Sequence, residues 1–164
     1  MNFISIIMGS KSDYETMKSC TEVLESFNVK YELVISSAHR SPDRTKQYIQ
    51  EAEAKGATVF IAAAGMAAHL AGAVAATTTK PVIGVPMKGG AMDGMDAMLS
   101  TVQMPSGMPV ATVALGKAGA SNSAYLAMQI LAINDKELAI KLKEDRVVKE
   151  KKVITDSKEI EVLL

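Results

Sequence analysis

The stretch FISIIMGSKSDYETMKSCTEVLESF, residues 3–27, decides the fold. Its first six residues are a short run too uniformly apolar for a strand with one wet face, and they read as a buried parallel strand. A polar turn follows. Met17, Cys20, Leu24 and Phe27 then recur at helical spacing, which predicts a helix over residues 12–28 with one apolar face. The same unit repeats outward along the chain. Further buried strands are predicted at YELVIS (31–36), TVFIAAA (58–64), PVIGVPM (81–87) and VATVALG (110–116). A helix over 41–55 opens with Ser41 as N-cap and Pro42 at its first position, and stops at Gly56. Such alternation is the pattern of a doubly wound α/β domain with right-handed crossovers, and five short strands favour a flavodoxin-like order with a central parallel five-stranded sheet.

Past the fifth strand the pattern changes. Residues 121–134 and 135–154 are both helical, with no strand between them. The second is strongly charged, and Leu138, Ala139, Leu142 and Val147 leave it a narrow apolar stripe. It either lies across a neighbouring subunit or is a solvated terminal helix. With no linker and no internal repeat, residues 1–164 are expected to form a single domain, an α/β core at 3–134 carrying a C-terminal helical extension at 135–164.

Charge balances at 18 basic against 18 acidic residues, so nothing suggests a nucleic-acid or membrane-surface partner; a small molecule is the expected one. The run near the N-terminus is too short for a signal-peptide core or a membrane span, and a cytoplasmic location is expected. A single cysteine, Cys20, excludes an internal disulfide and a thiolate metal cluster, and its spacing makes it core filler. The abundance of Ala, Gly and Met suits close packing in a core or between subunits.

Ligands of open α/β sheets bind beyond the carboxyl ends of the strands. The segments that follow the five strands read MGSKSD, SSAHRSP, AAGMAAHLAG, PMKGGAMDG and GKAGASNS, and they hold both histidines and most of the glycines, whereas those before strands (FNVK, KGA, TTTK) are plainer. In the first, Gly9 lets the backbone approach a ligand, Ser10 and Ser12 offer hydroxyls, and Asp13 stands at a helix start, where it is either a site residue or an N-cap. This is neither a Walker loop nor GxGxxG, so ATP and NAD are unsupported. In the second, His39 can exchange a proton near neutral pH and Arg40 can fork onto a phosphate. His69, in the third, either touches the ligand or braces its turn. No acidic residue stands in metal-ligand spacing with either histidine, and no metal is expected; a Gly-x-Ser-x-Gly elbow is also absent.

Read together, MGSKSD, SAHRSP, AAGMAAHLAG, VQMPSGMPVATVALG and AGASNSAYLAMQIL resemble the successive motifs of the 5-(carboxyamino)imidazole ribonucleotide mutase family of bacterial purine biosynthesis, in order from about residue 3 to residue 140. The resemblance implies a flavodoxin-like three-layer sandwich assembled as a homo-octamer, with the C-terminal helices on neighbouring subunits. It implies a cofactor-free reaction in which a nucleotide substrate loses a carboxylate from its exocyclic nitrogen and regains it on ring carbon four, with His39 handling the proton. Arg40 would pair with the phosphate and Asp13 with the ribose, Ser10 would hold the 5′ end, and Ser37, Ala38, Gly65 and His69 would line the base pocket. Two departures stand out. The family usually has Gly-Gly-Ala-Ala-His-Leu-Pro-Gly where this chain has Met66 for a glycine and Ala71 for the proline, and the loop MKGGAMDGMD differs from the usual form. The related carboxylase, which uses carbon dioxide directly, usually carries Lys in place of Arg40. A flavin-binding module would want aromatic side chains in these loops, and a receiver domain would want an acidic cluster after the first strand; neither is present.

Overall fold

A computed structural model describes residues 2–162; the ends of the expected 1–164 span lie outside the described residues. The chain forms two compact units, the first ending at Met128 and the second beginning at Gln129.

In the first unit, strands β1 (Phe3–Met8), β2 (Tyr31–Ile35), β3 (Ala57–Ala64), β4 (Val82–Pro86) and β5 (Ala111–Thr112) form one parallel sheet in the order β2-β1-β3-β4-β5. Alternate residues of β1 and β3 point to opposite layers. Phe3, Ile7, Phe60 and Ala62 pack with Ile49 and Ala52 of helix α2 (Pro42–Lys55) and with Leu70, Ala71 and Val74 of α3 (Leu70–Ala75). Ile4, Ile6, Val59 and Ile61 are fully buried on the other side, where α1 (Tyr14–Ser26) and α5 (Lys117–Leu131) meet through a 3.6 Å contact of the Ser123 hydroxyl with the Cys20 thiol. Burial pushes that thiol up to about 11, so Cys20 is an inert core residue. This is the flavodoxin-like three-layer arrangement.

Several expectations need correction. The run YELVIS does not form the buried strand expected of it: the residues of β2 are half-buried and Ile35 is 41% exposed, because β2 is an edge strand paired with β1 alone. β5 pairs over two residues rather than 110–116; beyond them the chain holds on to β4 through single amide bonds, Val113 N–H to Gly84 O and Gly116 N–H to Pro86 O. A helix not anticipated, α4 (Met95–Val102), follows β4. α5 begins at Lys117 rather than Ser121, so most of GKAGASNS is helix and not loop. Ser41 holds the N-cap position of α2 without capping it, since its hydroxyl donates to Ser37 O at 3.0 Å.

The second unit is dominated by α6 (Lys136–Ile160), longer than the expected 135–154. Asp135 caps it by accepting from Leu138 N–H at 3.0 Å, and its surface carries i,i+4 pairs such as Lys141–Glu137 at 2.8 Å. Ile140, Val147, Val148, Val153 and Ile154 are exposed along it.

Candidate functional site

Backbone amides extend the sheet by one step past the ends of β1, β2 and β4 and lay the following loops side by side. Gly9 N–H donates to Ala63 O, Ser36 N–H to Met8 O and Met87 N–H to Ala64 O, each at 2.9 Å. The loops after β1, β2, β3 and β4 enclose a cavity of about 610 Å³, the size of a nucleotide-scale pocket.

Every residue expected to act on or bind a ligand lines this cavity: Gly9, Ser10, Ser12 and Asp13 from the first loop, Ser37, Ala38, His39 and Arg40 from the second, Gly65 and His69 from the third. The fifth segment, GKAGASNS, contributes nothing to it, because the helix there starts early. Lys88, Gly89 and Gly90 of the fourth loop line it as well; the sequence placed that loop at the ligand edge without singling out any of its residues.

Each loop is shaped locally. Lys11–Asp13 form a 3-10 turn ahead of α1, closed by a capping box: Ser12 N–H donates to Ser10 Oγ at 3.3 Å and Ser10 N–H to Asp13 Oδ2 at 3.1 Å. Asp13 is therefore both a capping-box member and a cavity residue, while the cap itself is Ser10. Burial raises the Asp13 carboxyl above its ordinary value, against the lowering effect of its bonds from Ser10 and Ser12. A Cβ at Gly9 would meet Ala63 O at 3.6 Å, an ordinary contact, so the missing side chain leaves room for a ligand rather than for the protein.

The second loop is a tight turn. Arg40 N–H donates to Ser37 Oγ at 3.2 Å, and its Nη2 donates to Gly9 O at 3.2 Å, tying the second loop to the first. In the third, His69 begins α3, and its ring stacks on that of His39 with centroids 5.4 Å apart and planes 18° from parallel. The two histidines, 30 positions apart in sequence, form one imidazole pair in the cavity. Met66 sits at φ 57°, a left-handed conformation that glycine adopts freely and that costs other residues about 1–2 kcal/mol. The glycine usual in the resembling family is thus replaced where its freedom is used.

The opposite edge of the sheet shows the contrast anticipated from its plainer loops. A hollow of about 420 Å³ lies there, but Thr78 spends its hydroxyl on Glu53 Oε2 at 2.7 Å and Thr77 on Ala73 O at 2.9 Å. Among the described residues, no three His, Cys, Asp or Glu side chains gather as a metal site.

The sheet order and the cavity define a flavodoxin-like α/β protein with a cavity of small-ligand size at the carboxyl edge of its sheet. More particularly, the chain belongs to the AIR carboxylase family, whose model matches residues 3–152. It is 51% identical over 157 residues to the N5-carboxyaminoimidazole ribonucleotide mutase of Bacillus subtilis (strain 168), covering 96% of this chain and 97% of that one. It is 52% identical over 141 residues to the protein of the same name from Saccharolobus solfataricus, covering 86% and 88%. The crystal structure of Treponema denticola PurE superposes with a TM-score of 0.89 at 28% identity, over 99% of this chain and 100% of that one.

Proposed function

We propose that the chain is an isomerase of purine biosynthesis that converts 5-(carboxyamino)imidazole ribonucleotide to 4-carboxy-5-aminoimidazole ribonucleotide. What carries this reading is the 51% identity to a mutase over 96% of the chain. The cavity supplies what the reaction needs. The carbamate C–N bond breaks as His39 gives a proton to the exocyclic nitrogen, leaving aminoimidazole ribonucleotide and carbon dioxide. Carbon four of the ring then attacks the carbon dioxide, and His39, now neutral, removes the proton from that carbon and restores aromaticity. One imidazole closes the proton cycle, so no cofactor enters the balance.

Around His39, Arg40 takes the phosphate by charge-assisted hydrogen bonds, leaving Gly9 O to do so. Asp13 accepts from ribose hydroxyls, Ser10 and Ser12 hold the 5′ end beside Gly9, and Ser37, Ala38, Gly65 and His69 line the base. Residues 3–134 act as the catalytic core, and 135–164 as an arm that meets neighbouring subunits in a homo-octamer. The valines and isoleucines exposed along α6 and the stripe Met92, Met95, Leu99 and Val102 support such an assembly. We place the enzyme in the cytoplasm with its nucleotide substrate; among the described residues no helix is long and apolar enough to cross a membrane.

The test is a spectroscopic assay of the purified protein without ATP or metal. Product formed from the carbamate, and not from aminoimidazole ribonucleotide plus bicarbonate, is the expected result. Conversion of the second mixture alone makes the protein a carboxylase, and silence in both refutes the reading.

A further inference from the structure

His39 is held indirectly. Among the described residues its imidazole has no hydrogen-bonding partner and touches one ring, that of His69, so its place is set by the backbone of residues 36–41. That backbone is anchored from beneath by two hydroxyls, on Ser36 and Thr45, each residue only 2% exposed. Ser36 Oγ lies 2.8 Å from Thr45 Oγ1, and Thr45 Oγ1 donates to Ser41 O at 2.9 Å. Each hydroxyl has one proton. Since that of Thr45 goes to Ser41 O, the shared bond is donated by Ser36, and the relay runs from Ser36 through Thr45 to Ser41. Its two ends are the first and last residues of the turn that presents His39. Ser36 is also fixed to the sheet by its N–H to Met8 O at 2.9 Å, so the relay carries the position of β1 through α2 to the far side of the turn.

We propose that Thr45 is a positioning residue for the reaction: the buried Ser36–Thr45–Ser41 relay fixes the turn that aims His39 at the substrate. The proposal rests on the mutase reading for its kinetic consequence, though not for its structural one. A valine at 45 keeps the shape of threonine and loses the hydroxyl, while a serine keeps the hydroxyl and loses a methyl. An imidazole displaced by a fraction of an ångström transfers a proton poorly although the substrate still binds.

The test compares the full-length wild type with Thr45→Val, Thr45→Ser and the double variant Ser36→Ala/Thr45→Val. Thr45→Val is expected to lower kcat about ten- to a hundredfold with KM within about threefold, and Thr45→Ser to restore most of kcat. The double variant removes donor and acceptor together and leaves no buried hydroxyl unpaired, so its thermal midpoint recovers while its kcat stays low. Amide hydrogen exchange at residues 38–41, read in the same samples, is expected to quicken in Thr45→Val and not in Thr45→Ser. A kcat for Thr45→Val equal to wild type, or a Thr45→Ser as impaired as Thr45→Val, overturns the proposal. If the wild type itself is inert towards the substrate, the mutase reading has failed instead. Exchange then decides the positioning claim alone: unchanged rates in Thr45→Val overturn it.

Discussion

The turn after β2 and the loop after β4 line the same cavity, as the outer two of the four contributing loops, and they are held by different kinds of force. The turn, residues 36–41, rests on buried hydroxyls and on short bonds within itself. The loop, residues 87–94, takes positive φ at Gly89, Gly90, Asp93 and Gly94, is joined to the end of β3 by Met87 N–H, and carries the Lys88–Asp93 ion pair at 3.3 Å, in which both side chains are mostly exposed. An exposed pair of this kind contributes about 0–1 kcal/mol, whereas a buried hydroxyl left unpaired costs about 1–3 kcal/mol. One side of the cavity is thus pinned by buried hydroxyls, and the other carries an exposed ion pair on a glycine-rich backbone. In the proposed reaction, which must retain carbon dioxide, the first side would aim His39 and the second would be the one to shut over the ligand.

The sharpest way to break this contrast is at the pinned side. His39→Asn is expected to reduce turnover by about 10²–10⁴-fold while the substrate still binds, as read by single-turnover kinetics and calorimetric titration. Turnover near wild type in that variant removes His39 from the chemistry. Arg40→Met comes next: loss of a charge-assisted phosphate contact should raise KM about tenfold or more, with a smaller change in kcat and a weaker dependence on salt. An unchanged KM would put the phosphate elsewhere.

On the other side, Gly94→Ala attacks the loop through its frame. A Cβ there would stand 2.7 Å from Leu115 Cδ1 and 3.1 Å from the Lys88 backbone, at φ 92°, so a loss of about 1–3 kcal/mol is expected in denaturant unfolding. Wild-type stability would mean that the loop yields more than its contacts suggest. The smallest effect sharpens the picture at Asp13. Because burial holds its carboxyl above the ordinary value, ionising it opposes folding; that penalty is complete above the folded value and fades as pH falls through the carboxylate range. Asp13→Asn, whose side-chain oxygen still accepts from Ser10 N–H, should therefore melt slightly higher than wild type at neutral pH, with the advantage shrinking in acid. A gap that widens in acid would reverse the sign of the assignment.

The legibility of these regions in the sequence follows from their physics. β1, β3 and β4 are buried on both faces, and uniform apolar runs report that directly. A short Val- and Ile-rich run does not by itself say that its strand will lie at an edge, which is why β2 and β5 are less buried and shorter than expected, although Glu32 within β2 was a sign of a wet strand. α4 was hidden by GGAMDG, whose turn residues masked the apolar spacing of Met95, Met98, Leu99 and Val102 just beyond. In the site, residues whose chemistry is unusual for a strand-to-helix turn were visible: His39, Arg40, His69. Lys88 was not, since a lysine in a polar loop is ordinary. Nor was the Ser36–Thr45 pair, because nothing in a sequence separates a threonine that bonds a buried serine from one that faces water.

In the proposed reaction the carboxylate leaves nitrogen and returns to carbon within one cavity, without exchange with bulk bicarbonate. This is tested most directly by giving the wild-type enzyme 5-(carboxyamino)imidazole ribonucleotide labelled with ¹³C in the carboxylate, in buffer rich in unlabelled bicarbonate, and measuring the label in the product by mass spectrometry. Retention of most of the label is the result expected here. Product carrying the isotopic composition of the bulk bicarbonate would mean that the carboxylate leaves the cavity before it returns to carbon, and would rule the proposed route out.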